Sequence, residues 1–522
     1  LNTLPDAPLL TVKRLPEIWR WRANPAGIVV MGAARNPRRT AIVDGGQTVT
    51  YAELNRRTDA LATSWRAAGF GEESTIGILA GNGRRFIETS LAAAKLGADV
   101  VYLNGAFSAP QVAAVVAAEG IDLLAFDEAH AAAAAQARPR LALGADELER
   151  ASSNGELPLP PVPGRVGRLI VLTSGTTGHP KGAARSGRMS NPLDAAGILS
   201  CIPFAPGEVG AVAAPLFHGL GLFTSNLMLA LGGTLILRDR FDPEGTLADI
   251  DERRATVFVG VPLMLERILD LPIRRSRQYD TSSLRIVVSG GAPLSGDLAG
   301  RFMDRFGDIL YNVYGSTETA LATVAAPRDL RAAPGTAGRP VPGTRVAVLD
   351  DERRRVASGT TGRVFVSSSF GFDGYTTGGG KERVGRLLST GDLGHVDRSG
   401  RLFIDGREDD MIVSGGENVY PAEVEELLHT HPAVSEAAVI GVADRDYGQR
   451  LSAFVVRRGG SQVSETELKA FIHDRLARFK TPRDVIFVDS LPRTATGKVV
   501  KRELRAPSHG ERSAESEIER DE

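Results

Sequence analysis

The sequence predicts an α/β protein: a large layered N-terminal domain of mostly parallel sheets and helices, followed by a small α+β C-terminal domain. Three observations carry this reading. Short apolar runs alternate with amphipathic stretches of helical period from Thr50 onward. A polar turn rich in glycine and threonine leaves the end of a buried run, Arg168–Leu172, where α/β sheets place ligands. Beyond Asp405 the rhythm changes to a smaller unit.

The elements follow in order. Thr50 to Ala68 sets Leu54, Leu61 and Trp65 on one helical face and stops at Gly69. Thr75–Ala80 reads as a strand, Arg84–Leu96 as a helix and Ala98–Leu103 as the next strand. Further strands are expected at Thr234–Leu237, Thr256–Val259 and Arg285–Ser289. Ala129–Ala137 is low in complexity and reads as a surface helix, and Ser152–Gly164 as a Gly/Pro linker. In the smaller unit, helices are expected at Pro421–Thr430 and Glu465–Ala477, with strands near Ala437–Val442 and Leu451–Val456. Ser508–Glu522 carries six acids and no apolar cluster, the composition of a disordered tail.

Composition narrows the field. The 522 residues are 42% apolar and 24% charged, an ordinary globular make-up too long for one core. A net charge of −1 gives no reason to expect nucleic acid. Cys201 is the single cysteine, so no internal disulfide can form and a reducing cytoplasm is the expected setting. The opening thirty residues lack the continuous apolar core of a secretory signal. Val209–Leu237 has no charged residue and is long enough to span a bilayer, but Pro215 and the glycines at 219, 221, 232 and 233 divide it into strand, turn, helix and strand. Trp19 and Trp21 interleave with Arg20 and Arg22, a pairing that would suit weak peripheral contact at the inner membrane face, but packing into the domain is the favoured reading.

The run LTSGTTGHPKG, Leu172–Gly182, is the strongest local signal. Gly175, Gly178 and Gly182 let backbone approach a ligand closely, Thr173, Ser174, Thr176 and Thr177 offer hydroxyls, and Lys181 offers a mobile cation. Such a turn suits a polyphosphate. It is not a P-loop of the form G-x-x-x-x-G-K-[ST], because Pro180 precedes the lysine and Gly182 follows it. VVSGGAPLS (Val287–Ser295), YGSTE (Tyr314–Glu318), STGD (Ser389–Asp392), GREDDMIVSGGENVYPAEVEE (Gly406–Glu426) and PRTATGK (Pro492–Lys498) come after it in fixed order. Together these motifs resemble the core motifs of the adenylate-forming superfamily, from about Pro25 to Leu504, and among its branches most resemble a fatty-acyl-CoA synthetase.

That resemblance implies a division into residues 1–405 (nucleotide and acyl binding), a hinge at 406–410, a mobile C-terminal domain at 411–507 and a tail at 508–522. It implies ATP and CoA as co-substrates and Mg²⁺ as cofactor. The turn Thr173, Ser174, Gly175, Thr176, Thr177, Gly178 and Lys181 would hold the β- and γ-phosphates. Gly290, Gly291 and Ala292 would lie along the purine, with Tyr314, followed by Gly315, stacked on it. Thr317 would touch the α-phosphate, Glu318 would help place Mg²⁺, and Asp392 would accept both ribose hydroxyls. Arg407 would stand near the phosphate or ribose, and Asp409 at the pivot. Lys498 would bridge carboxylate and phosphate during adenylation, then withdraw as Ser414, Gly415 and Gly416 open a channel for pantetheine.

For the acid, Phe217, His218, Leu220 and Gly221 in PLFHGLGL would form the pocket, with His218 orienting the carboxylate and joining Lys498, Thr317 and Glu318 as catalytic. No Asp occupies this segment, where amino-acid-activating relatives carry one, and Glu417 is not the arginine of acetyl-CoA synthetases. The expectation is therefore a medium- or long-chain fatty acid joined to CoA through acyl-AMP, releasing AMP and pyrophosphate. An aryl-acid CoA ligase, an acyl-AMP ligase serving a carrier protein and a luciferase-like oxygenase are the alternatives. The stretch GYTTGGGKERVGRLL before Ser389 departs from the longer acidic, tryptophan-containing loop usual there, leaving its packing open.

Overall fold

A computed structural model describes Trp21 and residues 24–153, 161–173, 181–186, 192–368, 372–408, 410–414, 417–444, 448–476, 478–494 and 497–505. Ser174, Gly175, Thr176, Thr177, Gly178, Asp409, Gly415, Gly416 and the acidic tail lie outside these residues. The chain divides into two compact units, one of residues up to Thr390 plus Val396–Phe403, the other of Gly391–His395 and everything from Ile404. Asp392 thus falls in the second unit, although the sequence reading assigned it to the first.

The first unit opens with the helix Gly27–Arg35, followed by the hairpin strands Thr40–Asp44 (β1) and Gln47–Thr50 (β2) and the helix Tyr51–Ala67. Thr50 caps this helix, its hydroxyl accepting from the Glu53 N–H at 3.2 Å. Thr75–Leu79 (β3), Asp99–Tyr102 (β4), Leu123–Phe126 (β5) and Leu141–Leu143 (β6) alternate with helices, and Arg168–Thr173 (β7) and Lys181–Ser186 (β8) follow. Next come Val209–Val212 (β9), Thr234–Leu237 (β10), Val257–Gly260 (β11), Ile286–Gly290 (β12), Leu310–Ser316 (β13), Ala320–Ala325 (β14) and Arg339–Pro340 (β15). Short strands follow: Arg345–Leu349 (β16), Gly362–Ser367 (β17), Gly374–Tyr375 (β18) and Arg383–Val384 (β19) in the first unit, and Leu387–Val396 (β20) and Leu402–Arg407 (β21), whose residues are divided between the two units.

Two large sheets result, in the orders β15-β14-β13-β12-β11-β9-β10-β1-β2 and β18-β8-β7-β4-β3-β5-β6. Their central strands are parallel and apolar on both faces. Successive residues point to opposite layers: Ile76 and Ile78 join a core shared with Ile42, Val212 and Leu235 of the other sheet, while Leu79 and Val101 enter a second cluster beneath Val112 and Val116. The helices Tyr51–Ala67 and Arg84–Leu96 contribute Leu54, Leu61, Trp65, Phe86 and Leu91 to the shared core. β16, β17, β20 and β19 form a third, smaller sheet, with β21 beside β20.

The second unit adds Ile412–Ser414 (β22), Glu417–Val419 (β23), Val434–Asp444 (β24), Gly448–Arg457 (β25) and Asp484–Phe487 (β26), with helices Pro421–His429 and Glu465–His473. Its own core gathers Ile412, Val424, Leu428, Val439, Ala453, Leu468 and Ile472.

Several expectations change in detail. The last helix ends at His473, four residues short of Ala477. The alanine-rich stretch begins as a 3₁₀ turn, Glu128–His130, and continues as helix Ala131–Ala137, whose Ala133 and Ala134 are buried against the second cluster, so it is not wholly a surface helix. Val209–Leu237 is β9, the helix Gly219–Ala230 and β10; among the described residues no helix is long and apolar enough to cross a membrane. Trp21 is buried with Ala26 and Ala94, so it packs into the domain. The Cys201 thiol is half-buried and pushed up by that burial, which suits an inert thiol.

Three helices are tied by a buried charge network. Arg57 donates to Glu88 at 2.7 Å and to Glu149 at 2.9 Å, and Arg84 to Glu88 at 3.1 Å. Glu88→Ala removes the buried partner of both guanidinium groups and leaves Arg84 with Glu149, and Arg57 with Glu149 and Glu53 at 3.9 Å. It should lower stability by about 3 kcal/mol, read as a lower urea midpoint at unchanged denaturant slope.

Candidate active site

Four parallel strands of the nine-stranded sheet, β13, β12, β11 and β9, end on one edge, and sequence-singled residues leave three of those ends. After β12 come Gly290, Gly291 and Ala292; Gly290 pairs with Val313, which sets Gly291 beside Tyr314. A Cβ on Gly290 would meet Val313 at 2.6 Å, and Gly291 has φ +79°, so the backbone itself forms this surface.

After β13 the chain turns through Ser316–Thr319. Ser316 Oγ accepts from the N–H groups of Glu318 (3.2 Å) and Thr319 (3.1 Å), and the Ser316 N–H donates to Thr319 Oγ1 at 3.1 Å. Gly315 is obligatory, because a Cβ there would stand 1.7 Å from the Ala320 carbonyl oxygen. Glu318 is only 8% exposed. Its Oε1 accepts from the Tyr375 hydroxyl at 2.7 Å, and the Thr317 carbonyl accepts from Arg185. Burial pushes the Arg185 guanidinium down to about 10, with the Glu318 and Asp373 carboxylates opposing the shift.

The phosphate-type turn lies between β7 and β8. These strands pair antiparallel with Thr173 opposite Lys181, and Thr173 Oγ1 donates to the Lys181 carbonyl at 3.2 Å. Ser174, Gly175, Thr176, Thr177 and Gly178 lie outside the described residues. A Cβ on Gly182 would stand 2.6 Å from both Glu119 Oε1 and Thr376 Oγ1. Lys181 Nζ is 5.9 Å from the centre of the Tyr375 ring. Lys181, Thr317 and Glu318 are therefore gathered around Tyr375 and Arg185, two residues that the sequence reading did not single out.

After β9 the chain reaches Phe217 and His218. His218 precedes the helix Gly219–Ala230, its ring 4.5 Å from that of Phe217. Burial pushes its imidazole down to about 4, so it is neutral at physiological pH. Asn82 fixes this segment: its side chain donates to the Ala214 carbonyl at 3.0 Å and accepts from the Leu216 N–H at 2.9 Å. Gly221 lets the helix sit on Pro215, whose carbonyl oxygen would be 2.4 Å from a Cβ there, and Leu220 packs at the edge of the shared core. Ser225 is fully buried in the same helix, its hydroxyl without a hydrogen-bond partner among the described residues.

The remaining residues belong to the second unit. Arg407 donates to Asp392 at 3.3 Å. Ser414 ends β22, its backbone opposite Glu417 and Gly448. Lys498 is exposed in a tight turn: its N–H donates to Thr494 Oγ1 at 3.2 Å, its carbonyl accepts from the Thr494 N–H at 2.8 Å, and Gly497 supplies φ +77°.

Glycine-lined backbone, hydroxyls, a buried carboxylate and a neutral apolar segment along one sheet edge define an adenylate-forming enzyme of acyl-CoA synthetase type. The chain belongs to the AMP-binding enzymes: residues 31–376 match that family and 423–498 the AMP-binding enzyme C-terminal domain. It is 38% identical to a feruloyl-CoA synthase of Amycolatopsis sp over 91% of this chain and 97% of that protein. It is 32% identical to a long-chain-fatty-acid–CoA ligase of Mycobacterium tuberculosis over 91% and 96%. The ATP-bound MatB structure from Rhodopseudomonas palustris superposes with a TM-score of 0.82 at 30% identity, covering 92% of this chain and 98% of that one.

The state of His218 can be measured. An unfolded histidine titrates near about 6.5, so between that value and about 4 the unfolded chain binds the proton more strongly. The contribution of His218 to stability is complete above the upper value and is lost as pH falls toward the lower. Its imidazole resonances should titrate near 4 in NMR, and His218→Gln should flatten the fall of the urea midpoint across that window.

Proposed function

We propose that the protein activates an apolar carboxylic acid with ATP and passes the acyl group to CoA, releasing AMP and pyrophosphate. A carboxylate oxygen attacks the α-phosphorus, the bond to pyrophosphate breaks, and the acyl-adenylate carries a good leaving group. The CoA sulfur then attacks the acyl carbon, giving up its proton, and AMP departs. Neither step needs a covalent bond to the protein, so its part is positioning and electrostatics.

In this reading Thr173 to Lys181 receive the outer phosphates, Gly290 to Ala292 and Tyr314 the adenine, and Thr317 the α-phosphate. Asp392, oriented by Arg407, accepts from the ribose. Lys498 serves the first half-reaction, and Ser414 with Gly415 and Gly416 the second, after rotation about Asp409. Bound with ATP, Mg²⁺ would neutralise phosphate charge. Glu318, buried in the Ser316–Thr319 turn, offers it the hard oxygen donor that such a cation takes.

The observation that carries the substrate class is the neutral His218 beside Phe217 at the head of a helix without a charged residue, GLGLFTSNLMLA. An acid entering here meets no charged side chain of this helix to pair with a second charge. An aryl acid leads, since the two adjacent rings offer aromatic surface to a planar group and the feruloyl-CoA synthase has the higher identity of the two relatives described. A long-chain acid, favoured by the sequence reading, is the second reading and draws on the mycobacterial ligase.

Pyrophosphate release across aryl acids and fatty acids of graded length, with and without CoA, distinguishes the two; the expected order places arylpropenoic acids first. Lys498→Ala should slow adenylation by about a hundredfold or more while largely sparing thioester formation from supplied acyl-adenylate. Gly415→Leu should do the reverse. Equal loss of both half-reactions in each variant would refute the alternation.

A further inference from the structure

Tyr375 belongs to none of the motifs that define the nucleotide site, yet its backbone and hydroxyl are both fixed within it. β18 adds to the free edge of β8, Gly374 opposite Ala184 and Tyr375 opposite Ala183. The N–H groups on either side of this pair donate to β8 carbonyls, Asp373 to Ala184 at 3.0 Å and Thr376 to Gly182 at 2.9 Å. Thr376 Oγ1 adds a hydrogen bond to Glu119 at 2.7 Å, and the Phe372 ring meets the Tyr375 ring edge-on at 5.2 Å. The phenol is thereby carried to Glu318 Oε1, with Lys181 near its ring.

We propose that Tyr375 is a positioning residue for the metal-holding carboxylate: by occupying Glu318 Oε1 it fixes the rotation of the carboxyl group and leaves Oε2 directed to the cation of the metal–ATP complex. This rests on the reading of Glu318 given above. No other hydrogen bond reaches the Glu318 side chain among the described residues, so Tyr375 alone fixes that rotation through a hydrogen bond. A phenol keeps its proton at any working pH, and the 2.7 Å contact makes it the donor to this oxygen. A carboxylate held in one rotamer loses no further freedom when the cation arrives, and its affinity gains accordingly.

Tyr375→Phe keeps the ring contacts with Phe372 and Lys181 and removes only the hydroxyl. With Mn²⁺ as a paramagnetic probe and the non-reacting α,β-methylene analogue of ATP, free Mn²⁺ read by EPR should show metal binding weakened about tenfold. Affinity for the analogue without metal should not change. The Mg²⁺ concentration for half-maximal pyrophosphate release should rise in parallel, with most of kcat restored at saturating metal. Glu318→Gln should weaken Mn²⁺ binding at least as much, and adding Tyr375→Phe to it should cost nothing more. Wild-type Mn²⁺ binding by Tyr375→Phe, an equal loss in the Glu318→Gln background, or a loss of analogue affinity without metal would each overturn the proposal. Unaltered Mn²⁺ binding by Glu318→Gln alone would overturn it by a separate route, removing the metal from Glu318.

Discussion

Parallel strands that end on one edge impose the constraint from which this site follows. β9, β12 and β13 deliver His218, the Gly290–Ala292 backbone and the Ser316–Glu318 turn to the same edge, because a parallel sheet has no other place to put its C-terminal loops. The turn between β7 and β8 belongs to the other sheet. What joins β7 and β8 to that edge is Arg185 of β8, donating to the Thr317 carbonyl, and the short added strand β18, through Tyr375 and Glu318. A two-residue strand contributes little stability of its own, yet it links the elements assigned to opposite ends of the triphosphate.

Close backbone approach is the second condition. Gly182, Gly290 and Gly315 each sit where a Cβ would come within 2.6 Å of a neighbouring atom. These are packing requirements before they are ligand requirements. The glycines of such a turn keep polypeptide close to polypeptide, and the resulting flat backbone surface is what a nucleotide can use.

The elements legible in the sequence were those whose signal is local. Arg84–Leu96 forms as expected, between Gly83 and the left-handed Gly97, because period and caps agree. The central strands were legible for the same reason, each being a short buried apolar run. Contacts without a local signature were not: Asn82 lies 134 positions from Leu216, and Tyr375 lies 57 from Glu318. The departure from the usual loop before Ser389 marked the region containing Tyr375 but not its partner. Alanine content misled at 129–137, since small side chains let Ala133 and Ala134 pack closely where a surface helix was expected.

Charge accounting explains why the proposed chemistry needs a hinge and a metal. Bringing a carboxylate to a triphosphate sets like charges together, and their repulsion has to be offset where water is excluded. Arg185 is directed to the Thr317 carbonyl, so its charge holds the turn, and Arg407 is directed to Asp392. In the proposed reading the neutral His218 spares the acid a buried cation it would otherwise pair with unproductively before reacting. In the proposed reading Lys181, on β8, is left to the phosphates. In the proposed reading, the cation with the nucleotide and Lys498 supply the remainder at the moment of reaction. A site permanently furnished with that much positive charge would hold the adenylate and pyrophosphate as firmly as it stabilised the transition state, and would release neither.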